Sequence, residues 1–344
     1  MIYILGWSIL FASFFLTALS KYKSSLFLYL SLICFFLIAF LRGSVGTDTA
    51  AYEIILDEIS RGLIWTGMEP GFLILSWILV SITGLSSISV RAISVLIFLG
   101  MSVYIYKSNK NEKYILIAYI LPAYVYPYSM NVLRVGIASI LLLLAVQSLR
   151  IKKIKIALLL MATALMFHYS SLFSIIIILA CQIQWFKVSN LWKFLVLILV
   201  TSCVLALNSG YFFTKLDAYQ SLISPEAYSG LGKLIVMLVL LVGISLSNLP
   251  SSEKAKILLI GFFSTLVFWI ISNISYAGLR FLDLLTFAFP LCILLVYSKN
   301  KLDFGKCIKA SLFIAGILSV LMTYRNFLLE AGQGPSPFLP YVFS

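Results

Sequence analysis

The chain has 344 residues, 62% of them hydrophobic and 11% charged, with 25 Lys and Arg against 12 Asp and Glu. A mean hydropathy of +1.08 excludes a soluble globular domain and points to a polytopic integral membrane protein. The net charge of +13 resembles a nucleic-acid signal, but the cations fall in short connections between apolar runs. There they read as topology signals, and no nucleic acid partner is expected.

The apolar runs recur along the whole length and lack the alternation of a transmembrane barrel, so the expected fold class is all-α. The first run, Ile2 to Leu19, is followed rather than preceded by Lys21 and Lys23, the reverse of a cleavable signal peptide, and is expected to remain as the first span. A second run covers 25 to 41. The segment from Arg42 to Pro70 then interrupts with five of the twelve acidic residues, Asp48, Glu53, Asp57, Glu58 and Glu69. Asp48 or Thr49 can cap a helix with Tyr52, Ile55, Leu56, Ile59 and Leu63 on one face and charges on the other. Such a helix lies on a membrane surface, and 42–70 is expected to be an outer loop. The short run from Gly71 to Leu85 begins at Glu69-Pro70 and ends at Thr83-Gly84, which suits a re-entrant half-helix.

Further spans are expected at 88 to 106, 114 to 129, 132 to 149, 154 to 167, 171 to 186, 192 to 208, 233 to 248, 257 to 273, 281 to 297 and 307 to 324, about twelve in all with both termini outside. A second outer loop, 208–233, carries Tyr219 and Tyr228, which suit sugar faces or an interfacial tyrosine belt. The five cysteines, at 34, 181, 203, 292 and 307, have no paired spacing and read as core residues. With one histidine, a multi-His metal site is excluded, and no cofactor is expected. No internal repeat or linker suggests a second domain, so 1–344 reads as a single polytopic membrane domain.

With the basic connections inside, sixteen of their seventeen cations are lysine, whereas six of the seven arginines, Arg42, Arg61, Arg91, Arg134, Arg280 and Arg325, fall near the outer face. Arginine presents a planar fork of donors that matches phosphate. An outward-facing site for a phosphate or diphosphate lipid is therefore expected. Taken singly, each candidate has a plainer role. Arg134 can snorkel to headgroups, Arg42 can anchor there, and Arg280 can pair with Asp283. His168 can take a proton from a sugar hydroxyl, or can simply bond Tyr169 or a carbonyl in a helix break. Asp48 and Glu69 can act as bases or orient an acceptor hydroxyl, with a helix cap and a first-turn charge as their plainer roles. Two carboxylates would also suit a glycosidase.

Five motifs in order, Arg42-Gly-x-x-Gly46-x-Asp48-x-x-x-Tyr52, Glu69-Pro-Gly-Phe72, Asn131-x-x-Arg134-x-Gly136-Ile-Ala, Phe167-His168-Tyr-Ser-Ser171 and Leu339-Pro340-Tyr341, resemble the EpsG-type polysaccharide polymerases, relatives of the Wzy O-antigen polymerases. The resemblance implies a metal-independent glycosyltransferase of GT-C-like architecture in the bacterial inner (cytoplasmic) membrane, with its site facing the periplasm or cell exterior. It implies undecaprenyl-diphosphate-linked oligosaccharides as donor and acceptor, and a chain-length regulator and a flippase as partners. On that reading Arg134, Arg280 and Arg42 bind diphosphate, His168, Asp48 and Glu69 are catalytic, and Tyr52, Tyr169, Tyr219 and Tyr228 meet sugar. An O-antigen ligase, a glycan acyltransferase and a transporter with a midplane site are the alternatives.

Overall fold

A computed structural model describes residues 2–19, 24–62, 68–182 and 230–343, with isolated positions between 183 and 229. Tyr219, Tyr228, Cys203, Leu63 and most of the 192–208 span and 208–233 loop lie outside the described residues. Among the described residues the chain is helical, without a strand; Arg42 and Phe343 form a single isolated antiparallel bridge. Five helices are long and apolar enough to cross a membrane, namely Ser86–Lys107, Leu133–Arg150, Ser251–Ser272, Tyr276–Lys299 and Lys306–Leu329. Shorter apolar helices accompany them.

The chain forms two compact units. The first comprises Met1–Tyr169 and Val320–Ser344, the second Ser170–Ser319.

In the first unit, α1 (Ile2–Leu19) packs on α2 (Ser24–Phe40), α2 on α5 (Ser86–Lys107), and α5 on α8 (Leu133–Arg150). Between α5 and α8 runs an almost wholly buried helical rod: α6 (Lys110–Ile115), a π-helical turn at Leu116–Ile120, α7 (Leu121–Tyr126) and a second π-helical turn at Pro127–Asn131. Pro122 and Pro127 lack the N–H of a regular ladder, and the wide turns absorb the mismatch. The rod ends at Val132, and α8 restarts at Leu133. Tyr3, Trp7, Phe35, Tyr126, Phe327 and Phe338 make an edge-to-face and stacked aromatic cluster, which adds directional attraction to area burial. The C-terminal strap is tied across the 41–50 loop: Gly43 N–H donates to Val342 O at 2.8 Å and the Ser336 hydroxyl to Gly46 O at 2.7 Å.

The expected surface helix is α3, Thr49–Ser60, with Tyr52, Leu56 and Ile59 buried, and it packs on α5 and on the helix that follows it, α4 (Pro70–Thr83). Asp48 occupies the cap position, but its side chain makes no capping bond. The run expected as a half-helix is α4, Pro70–Thr83, with Pro70 in the first turn and Gly84 left-handed at its end. Cys34 is half-buried and Cys181 and Cys292 are buried, as expected of core residues, whereas Cys307 is exposed.

The second unit is built on α13 (Tyr276–Lys299), the most enclosed of its helices, with α10 (Ser171–Gln182) and α12 (Ser251–Ser272) against it and α11 (Leu231–Ser245) on α12. Gly243, Gly261 and Gly278 allow the close approaches: a Cβ on them would come within 2.1 Å of Ser311 Oγ, 2.5 Å of the Phe289 ring and 2.1 Å of Ser272 N. α14 (Lys306–Leu329) carries the chain from this unit back to the first.

Candidate functional site

The motif residues of the first unit meet around Glu69. This residue is extended (φ −66, ψ 131), as the residue before a proline tends to be, and its carboxylate stands at the electropositive N-terminus of α4. Gly71 lets the last turn of α9 (Ile154–Phe167) approach, because a Cβ there would lie 2.8 Å from Met166 O. That approach delivers His168, whose backbone leaves the helix at φ −159, to the carboxylate. On the other side, Gly136 lets α8 close on the second π-turn; a Cβ would lie 2.1 Å from Tyr128 O. The start of α8 carries Arg134 toward the same carboxylate.

Glu69 Oε2 accepts from Arg134 Nη1 at 2.6 Å, and Glu69 Oε1 lies 3.2 Å from His168 Nδ1. The Glu69 side chain is fully buried, while those of Arg134 and His168 retain 20% and 17% exposure. Burial works to raise the Glu69 carboxyl, but the hydrogen bond from His168 and the charge of Arg134 outweigh it and hold it at about 2. An ionised carboxylate only accepts hydrogen bonds, so His168 must donate through Nδ1. In the neutral ring the basic nitrogen is then Nε2.

Arg134 is fixed from three sides: Glu69 takes one donor, the Tyr52 phenol lies close enough to interact electrostatically, and the guanidinium carbon lies 5.8 Å from the centre of the Phe72 ring. Tyr52 and Phe72 are themselves in ring contact at 5.5 Å. The 42–48 loop is held by Asn131, whose Oδ1 accepts from Asp48 N–H at 2.7 Å and the Thr47 hydroxyl at 3.0 Å. Gly46 has φ +104, and a Cβ on it would lie 2.3 Å from Met130 O, so only glycine fits there.

Of the sequence candidates, Glu69, His168, Arg134 and Tyr52 converge. Asp48 joins through its backbone, and Tyr169 follows His168, its hydroxyl pKa raised by burial and by the charge of Glu69. Arg42 is 1% exposed and its backbone pairs with Phe343 of the C-terminal strap, so it does not have the open position of a surface headgroup anchor; its expected diphosphate role is a separate matter. Arg280 lies near the start of α13 in the second unit, where Asp283 takes Lys233 at 2.6 Å. Asn131 and Phe72 were present in the motifs without a role; their positions inside Asn131-x-x-Arg134 and Glu69-Pro-Gly-Phe72 were the available signal.

Apolar helices, five of them long enough to cross a membrane, with an acid–histidine–arginine cluster at their ends fit a multi-pass membrane protein. A family model for the EpsG family matches residues 24–343, and the chain belongs to that family. Membership points to a membrane glycan polymerase. No curated protein and no solved structure is matched.

Proposed function

We propose that the chain is a polysaccharide polymerase that transfers a growing glycan from an undecaprenyl-diphosphate carrier onto a lipid-linked repeat unit at the outer face of the bacterial inner membrane. In this reading His168 Nε2 takes the proton of the acceptor hydroxyl as its oxygen bonds to the donor's anomeric carbon. The bond from that carbon to the carrier breaks, and the electron pair leaves with the diphosphate. Glu69 holds the ring and stabilises the imidazolium. Arg134, with donors beyond the one given to Glu69, offsets the charge growing on the leaving diphosphate. Arg280 is a second candidate phosphate ligand on its own unit, and Tyr169 a candidate sugar contact.

The observation that carries the reading is the buried, ionised Glu69 bonded at once to His168 Nδ1 and Arg134 Nη1. A charge buried that deeply is costly unless it is used to orient its partners. The one-sided arginines of the sequence support the outward orientation.

The test incubates purified protein with lipid-linked repeat units and separates the products. Longer glycans on the carrier are expected. Transfer to a different lipid acceptor would mean a ligase, and translocation without covalent change would mean a transporter.

A further inference from the structure

Four arginines of the first unit are buried or partly buried, Arg42, Arg91, Arg134 and Arg150, and Arg134 and Arg150 are paired. Arg150 gives Nε to Glu112 at 2.8 Å and Nη2 to Lys107 O at 3.3 Å, and Arg134 is held by Glu69. Arg42 alone of the four is fully buried. It is 1% exposed, and its Nε, Nη1 and Nη2 atoms have no hydrogen-bond partner among the described residues. A guanidinium out of water with unmet donors lowers stability, so a structural role alone does not account for it.

Its surroundings favour an anion. Burial, together with nearby Arg91, pulls the Arg42 guanidinium down to about 10 against the opposing pull of Tyr3, Tyr341 and Glu53. Two cations thus face one half-buried carboxylate, Glu53, which is itself pushed up by burial. The two phenols donate elsewhere, Tyr3 to Phe338 O at 3.0 Å and Tyr341 to Ile38 O at 2.6 Å, which fixes their rings beside the guanidinium.

The place of this group relative to the Glu69 cluster is set by α3. Tyr52 interacts with Arg134, and the next residue, Glu53, interacts with Arg42 and Arg91. Adjacent helix positions point about 100° apart, so one short helix carries a cationic group on each of two faces. A polymerase of lipid-linked glycans must hold two diphosphates at once, one leaving and one on the acceptor.

We propose that Arg42 and Arg91 form a second anion site, which binds the phosphate or diphosphate headgroup of the acceptor while Arg134 serves the donor; the assignment of acceptor rests on the polymerase reading above. The fork of Arg42 suits a diphosphate bidentately. The headgroup reaches it when the C-terminal strap, Phe338 to Phe343, lifts from the 41–43 loop. Lifting it parts the Gly43–Val342 bond and the Arg42–Phe343 bridge together with the Tyr3–Phe338 and Tyr341–Ile38 hydrogen bonds and the Phe327–Phe338 stack.

The test counts ligands by native mass spectrometry of the full chain with farnesyl diphosphate, with inorganic diphosphate in a parallel arm and farnesol as the uncharged control. The wild type is expected to hold two farnesyl diphosphates, and Arg42→Met and Arg91→Met one each, with the lost site weakened about tenfold or more. Loss of an Arg42-dependent inorganic diphosphate adduct as well would identify headgroup chemistry alone; loss confined to farnesyl diphosphate would identify a lipid. Arg42→Met should unfold at the wild-type temperature or above, since it removes an unmet buried charge. Equal ligand numbers in wild type and both variants, or a marked drop in the unfolding temperature of Arg42→Met, would overturn the site. Two adducts reduced to one with no polymer formed would instead contradict the polymerase reading and leave the anion site standing.

Discussion

Glu69 ties the candidate site together because one carboxylate serves two partners. Its carboxyl, ordinarily near 4.5, is held at about 2, so the ion pair contributes stability above the ordinary value and loses it as pH falls toward the folded one. The unfolding temperature of the purified protein should therefore drop across that window, and Glu69→Gln should flatten the dependence while lowering stability near neutrality. Arg134→Lys keeps the charge but not the fork that reaches Glu69. Its turnover should fall at least about tenfold, and its stability by about 1 to 3 kcal/mol. The family resemblance grouped these residues in one site, but their bonds to one another were not legible in the sequence. Glu69, Arg134 and His168 stood out there as separate polar residues at the ends of apolar runs, each with a plausible local role. What joins them is the packing of α4, α8 and α9, which no local spacing encodes.

The helices that position these groups depend on close contacts at Gly71 and Gly136 and on the Asn131 amide. α4 is flanked by Gly71, whose Cβ would meet Met166 O at 2.8 Å, and Gly84, which has φ +70 and open space around it. Gly71→Ala should push the end of α9 away from Glu69 and reduce turnover several-fold or more, at a cost of about 1 to 3 kcal/mol. Gly84→Ala should cost about 1 kcal/mol through the backbone and leave turnover unchanged. Thermal unfolding and product assays on both variants separate the two effects. The helix starts were readable: Asp48 and Thr49 at α3, and Pro70 at α4, carry ordinary start signals. The interior of the 110–131 rod was not, because its run of apolar and aromatic residues has no polar face to set a period. The π-turns answer to prolines buried within it. The burial of Arg42 was not readable for a related reason, since its backbone partner, Phe343, lies some 300 residues later in the chain.

At the scale of the molecule, composition made the membrane class legible, and five ordered motifs made the family legible. The division into two units follows from packing that a hydropathy pattern does not encode. The sorting of arginine from lysine is the sequence's statement about sidedness, and α3 and the 299–306 connection should lie on opposite sides of the membrane. In a Cys307→Ser background, Asp57→Cys should react from outside intact cells with an impermeant maleimide, and Lys301→Cys should react only after the membrane is opened. The central claim is that Glu69, His168 and Arg134 form the polymerising centre. It is tested most directly by the length of glycan made in cells by His168→Ala and Arg134→Lys, at matched protein levels. The account predicts that both collapse the ladder of polymer lengths to single repeat units; full-length ladders from both variants would contradict it.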